Sequence, residues 1–138
     1  MHNYLVTMPG ELNFSRLIKA MKPVLNEGEY VFCSFAEGTP ADLSEAICTF
    51  REKEGVTVIL SKEIADKRQF RYTFIASWIT LMVHSSLEAV GLTAAASKAL
   101  AEQNISANVV AGFYHDHIFV ARRDAERAIR ALREIGNR

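Results

Sequence analysis

The sequence predicts an α+β protein made of two ferredoxin-like (βαββαβ) halves packed together and dividing near Ser77. Three observations carry this. After Ser77 the apolar pattern runs strand, helix, strand, strand, helix, and a similar order of elements precedes it. No Ser/Gly/Pro-rich linker or low-complexity stretch separates the two, so they are expected to behave as one body. With 138 residues, 49% of them hydrophobic, there is ample material for a packed core. The halves are residues 1–76 and 77–138. They share little sequence, so the repeat is one of element order.

Each element has its own warrant. Tyr4 to Thr7 is a candidate edge strand. Leu12, Leu17, Ile18 and Met21 fall near helical spacing behind Asn13, a good cap, and Pro23 stops the helix, which is expected over Phe14 to Lys22. Tyr30 to Phe35 is β-branched and aromatic, hence a strand, broken by Glu37-Gly38-Thr39-Pro40. Ile47 to Phe50 and Val56 to Leu60 flank a charged turn ending in Gly55, the pattern of a hairpin. Ser61 caps a short helix reaching Arg68. The β-prone run from Tyr72 to His84 predicts one long strand or two meeting at a bend. Leu92 to about Gln103 forms an alanine-rich helix burying Leu92, Ala95, Ala96, Ala99 and Leu100, with Asn104 as a left-handed terminator. Ala107 to Ala111 and Ile118 to Ala121 are strands. Ala125, Ala128, Ile129, Leu132 and Ile135 mark the apolar side of a last helix.

Composition narrows the function classes. Sixteen basic and sixteen acidic residues cancel, which argues against nucleic acid as a partner. The longest apolar run, Tyr72 to Val83, falls short of the ~20 residues a spanning helix needs, so no membrane partner is expected. Met1-His2-Asn3-Tyr4 lacks the features of a secretory signal, and a cytoplasmic location is expected. Cys33 and Cys48 read as buried thiols. No P-loop or dinucleotide fingerprint occurs, and no cofactor is implied.

Chemistry concentrates between His84 and His117. In a ferredoxin-like half the end of the first strand lies beside the start of the third, bringing Ser85 and Ser86 close to His115 and Asp116. The same edge receives a helix N-terminus, whose free N–H groups favour a carboxylate or phosphate. Gly91 would let a ligand approach that backbone. Glu88 and Asp116 could hold an ammonium group, so the combination suits a zwitterionic amino acid. Blander roles compete for each residue. Ser85-Ser86-Leu87-Glu88 is also an S-x-x-E capping box, Gly91 could serve helix-to-sheet packing, and Asp116 could stabilise a turn. His115 and His117 alternate to one face, with His84 on a neighbouring strand, but further metal ligands are lacking and no metal site is expected. A catalytic arrangement of Ser86, His115 and Asp116 is disfavoured, because adjacent strand residues point to opposite faces. The arginines between Arg122 and Arg133 read as a solvated helix face.

The segments Ile79 to Ala94, with Glu88-Ala89-Val90-Gly91-Leu92 at a strand-to-helix junction, and Asn108 to Val120 resemble a family of short bacterial tandem-ACT-domain proteins. The resemblance implies two ACT-like halves and a ligand-binding fold. It implies further that Glu88 through Leu92, including Val90, contact an effector amino acid, as in aspartokinase-type ACT domains, and that the strand beginning at Asp116 faces the same pocket. Residues 1–76 form a degenerate half: Pro9-Gly10-Glu11-Leu12 resembles the opening motif only faintly, with Thr7 where an acid is expected. The expected ligand-binding set is therefore Ser85, Ser86, Glu88, Val90, Gly91, Leu92, His115 and Asp116, with no catalytic residue. The function expected is binding or sensing of a small molecule, an amino acid, by a stand-alone regulatory module; a small enzyme using the His115/His117 cluster and a purely structural interaction module are the alternatives.

The second half lacks the fourth strand of a βαββαβ sheet, so its first strand is expected to have an open edge. The segment Tyr4 to Thr7, an extended Tyr72 to Trp78 strand, or a second subunit could cover it. The resemblance favours the last, a homodimer.

Overall fold

The computed structural model describes residues 10–39 and 42–137; the expected strand at Tyr4 to Thr7 lies outside them. The elements are α1 (Phe14–Ala20), β1 (Lys22–Leu25), β2 (Tyr30–Phe35), β3 (Cys48–Arg51), β4 (Val56–Ser61), α2 (Lys62–Lys67), β5 (Ile75–Met82), α3 (Leu92–Glu102), β6 (Asn108–Ala111), β7 (Asp116–Ala121) and α4 (Ala125–Ile135), the last preceded by a 3-10 turn at Arg122–Asp124. Local chemistry accounts for several ends. The Asn13 side chain accepts from the Arg16 N–H, Ser61 does the same for Ile64, and Asn104 takes φ +58° after α3.

All seven strands join one antiparallel sheet in the order β3-β4-β2-β5-β7-β6, with β1 also on β5. β5 is long enough to serve both halves. Its start pairs with β2 (Tyr30 opposite Ala76), and its remainder pairs with β7 and β1 (Leu81 opposite Asp116, Val24 opposite Thr80). Ser77, the expected dividing point, therefore sits inside a shared strand.

The open edge of the second half is filled by β1, which comes from the first half. Sequence reading took Pro23 only as a helix stop. It is also acceptable there, because opposite Leu81 its nitrogen points away from β5 and the missing N–H costs no ladder bond to that strand. The edge argument for a second subunit accordingly does not hold. Among the described residues, no helix lies between β2 and β3, where a βαββαβ unit carries its first helix.

Strand registers place the helices on one side. Ile79, Leu81, Ile118 and Val120 pack with Leu92, Ala96 and Leu100 of α3 and Ala128, Ile129 and Leu132 of α4. Val31, Cys33, Val58 and Leu60 pack with Ala65 of α2 on that same side. Cys33 and Cys48 are free thiols, Cys48 only partly buried. Among the described residues, no helix is long and apolar enough to cross a membrane.

Candidate functional site

The antiparallel pairing of β5 with β7 brings the chain after Met82 beside the chain before Asp116. Ser85 N–H donates to the Tyr114 carbonyl (3.2 Å), and His115 Nδ1 donates to the Val83 carbonyl (2.9 Å). Ser85 is buried. Across it lies Glu11, in a parallel bridge: Glu11 N–H donates to the His84 carbonyl (2.7 Å), and Ser86 N–H to the Glu11 carbonyl (3.1 Å). Gly10 fits so closely that a Cβ there would stand 2.5 Å from the Ser85 carbonyl carbon. The chain just before α1 thus closes one side of this edge, a feature no local motif announced.

Asp116 is the chemically distinctive residue of the group. Strand alternation puts it on the helix side with Ile118 and Val120, and only 8% of it is exposed. Burial pushes its pKa up, against the smaller opposing pull of His117 and His115. A carboxyl raised in the folded state binds more protons than in the unfolded chain. The protein therefore loses stability as pH rises from the unfolded carboxylate range through the raised value, unless a cation accompanies the charge.

The other expected residues divide. Ser85, His115 and Asp116 gather at the strand ends. The S-x-x-E box does not form: Ser86 Oγ accepts from Glu88 N–H (3.1 Å), Ser85 Oγ turns to the Ser86 carbonyl, and α3 begins three residues after Ala89, with the Glu88 carboxylate making no bond among the described residues. Val90 is exposed. Leu92 is a core residue, 2% exposed, its side chain packed beneath the start of α3. Gly91, with φ +110°, faces Phe14, and a Cβ would come 2.7 Å from the Phe14 ring. The space its missing Cβ leaves is thus taken by Phe14 of α1. Among the described residues the N–H groups of Leu92, Thr93 and Ala94 remain without partners at the first turn of α3.

The two histidines are committed to different neighbours. His117 Nδ1 accepts the Trp78 indole N–H (2.9 Å) and lies 3.2 Å from Thr80 Oγ1, which itself accepts from Asn26 (2.9 Å). That bond requires an unprotonated Nδ1. Burial first, then the charge of His115, lowers the His117 pKa, with Asp116 opposing. The unfolded chain thus takes up a proton first, so this contribution to stability is complete above the ordinary histidine range, about 6.5, and is lost as pH falls through it toward the depressed value. Trp78 is the one tryptophan of the chain. Its emission is expected to change as the indole bond breaks on acidification, and His117→Gln should remove that step. A flat wild-type titration would contradict the arrangement. Among the described residues no group of three His, Cys, Asp or Glu side chains is placed to hold a metal.

Sequence reading passed over the aromatic rim of this edge, where the rings of His84 and Tyr114 lie 5.2 Å apart and Phe113 packs edge-on against Tyr114. The Gly112 turn was its available signal. Open grooves lie elsewhere, among them one of about 430 Å³ between Leu25 and the Ile129, Arg130 and Arg133 side of α4, one of about 650 Å³ around Glu37, Arg51 and Lys53, and one of about 800 Å³ around Phe32, Arg71 and Tyr72.

Two models of the ACT domain match the chain, one over residues 9–77 and one over residues 74–134. Among solved structures, a Vibrio cholerae protein of unknown function, called a possible transport protein, is 48% identical, with TM-score 0.79 over 88% of this chain and 94% of that one. An Agrobacterium tumefaciens protein has 17% identity and TM-score 0.64, over 84% of this chain and 89% of its own. The ligand-free regulatory subunit of aspartate kinase from Thermus thermophilus has 10% identity and TM-score 0.58, over 82% and 95%. The last two show likeness of fold alone. No curated protein matches the sequence.

Proposed function

Because the chain belongs to the ACT-domain family, with two such domains in tandem, we propose that it is a small-molecule sensor without a catalytic step of its own. The ligand is an amino acid held where β5, β7 and the start of α3 meet. The observation that carries this reading is Asp116, a residue 8% exposed at this strand end, whose burial raises the pKa of its carboxyl. Such a charge is costly unless paired, and a ligand ammonium group would pair it. The partnerless N–H groups at the first turn of α3, at the same end of the sheet, supply the complementary preference for a carboxylate. Ser85 and His115 border the position; Ser86, Glu88 and Val90 are the loop residues around it.

The test is thermal denaturation against the amino acids one by one. A ligand at one hundred times its Kd adds about 2.7 kcal/mol to stability. Asp116→Asn is expected to stay folded, to gain about 0.5–2 kcal/mol at neutral pH because a partly desolvated charge is gone, and to lose the response. Failure of every amino acid to move the wild-type transition, or an unchanged response in Asp116→Asn, would overturn the reading.

A further inference from the structure

The last helix and the turn before it carry more arginine than their own acids engage. Arg122 is paired with Glu29 and Arg127 with Asp124. Arg130 and Arg133 have no ion-pair partner among the described residues, and the residues outside these include no Asp or Glu. Glu126 and Glu134 stand four residues to either side of Arg130, the spacing of a helical pair, yet among the described residues neither closes one. Both arginines instead line the groove of about 430 Å³ between β1 and α4, beside Leu25 and Ile129. Leu25 pairs with the fully buried Ile79 and so lies on the helix side of the sheet, but it is 44% exposed. The groove therefore joins an uncovered aliphatic floor to two unpaired guanidinium groups.

We propose that this groove binds a small aliphatic monoanion, a hydrocarbon chain ending in a carboxylate. The occupant follows from the lining. Arg130 and Arg133 are one helical turn apart, about 4.5 Å along the axis, so both forks can reach a single planar carboxylate. The floor is Leu25 and Ile129 with no aromatic ring to stack on, which suits a chain better than a ring system. Glu126 lines the same groove about 10 Å along the helix from Arg133, and its charge opposes a second anionic group. Polyphosphates and nucleic acid are disfavoured on that ground. An α-ammonium group beside the carboxylate would face two arginines, which disfavours amino acids as well. The volume falls within the roughly 300–1,000 Å³ of small-molecule sites. This site is independent of the amino-acid reading, because β1 and β7 flank β5 on opposite sides and that strand stands between the groove and Asp116.

The test is a titration of the full chain with octanoate, followed by amide proton–nitrogen NMR spectra. The expected result is saturable shifts at Leu25 and over residues 126–133, with a Kd on the order of 1 mM for so small a ligand. Neither octanamide, which lacks the charge, nor leucine, which adds the ammonium group, should move those amides. Arg130→Gln combined with Arg133→Gln should weaken octanoate binding about tenfold or more. Glu126→Gln should tighten it about twofold to threefold, since a repelling charge is gone. Arg123→Gln, on the turn before the helix, should change nothing. If the double variant does not fold, the comparison of octanoate with octanamide in the wild type still decides. No shift at these amides up to about 10 mM octanoate, shifts centred elsewhere, an equal response to octanamide, or an undiminished response in the double variant overturns the proposal.

Discussion

Phe119→Ala is expected to lower the unfolding free energy by about 3–5 kcal/mol, the range for truncating a large buried aromatic. Phe119 is 1% exposed on β7 and meets Phe32 of β2 edge-on at 5.5 Å and Trp78 of β5 in a stacked arrangement at 6.1 Å. The lost ring therefore touches strands of both halves. Because β5 belongs to both, the destabilisation should appear in a single cooperative transition, with far-ultraviolet circular dichroism and Trp78 fluorescence coinciding in urea. Two separated transitions would mean that the halves fold independently and that the shared strand does not unite them.

Gly91→Val is expected to cost about 2–4 kcal/mol, from the left-handed backbone and from the collision of a new side chain with Phe14. The damage should centre on the loop before α3 and on the seat of α1, read as faster amide exchange over residues 83–92. Phe14→Ala in the same chain should recover the collision part and leave the backbone part, so the double variant loses less than the sum of the two single ones. Full additivity would show that Phe14 does not fill the space beside Gly91. The result also bears on the site, since a loss of ligand response in Gly91→Val alone would report a displaced helix rather than a blocked ligand.

Much of the fold was legible because local and tertiary preferences agree. Tyr30 to Phe35 reads as a strand and is one, since β-branched and aromatic residues fit both faces of a central strand. Ser61 and Asn104 end their helices as their chemistry predicts. β1 was not legible. Four residues containing a proline carry a turn signal, and only the vacant edge of β5 makes them a strand. Ser85 and Glu88 carry a capping box in sequence, but Ser85 lies in a bridge with Glu11 and the box does not form, while the helix begins at Leu92 as its apolar pattern predicts. Neither effect is local. The burial of Asp116 was legible in principle, because Asp116, Ile118 and Val120 alternate onto one face. The turn role that competes for any strand-end aspartate masked it. The committed nitrogens of His115 and His117 depend on partners more than thirty residues away and could not be read locally.

The pairing of Asp116 with a ligand ammonium group is tested most directly by isothermal titration calorimetry of the stabilising amino acid in buffers of different ionisation enthalpy, at a pH just above the ordinary carboxylate range. In the free protein Asp116 holds its proton more tightly than an unperturbed carboxyl does. An incoming ammonium group favours the ionised form. Binding should therefore release a proton from the wild type, and this release should vanish in Asp116→Asn along with most of the affinity. Proton release that is absent in the wild type, or equal in the two proteins, would contradict the assignment of Asp116 as the group that holds the ligand.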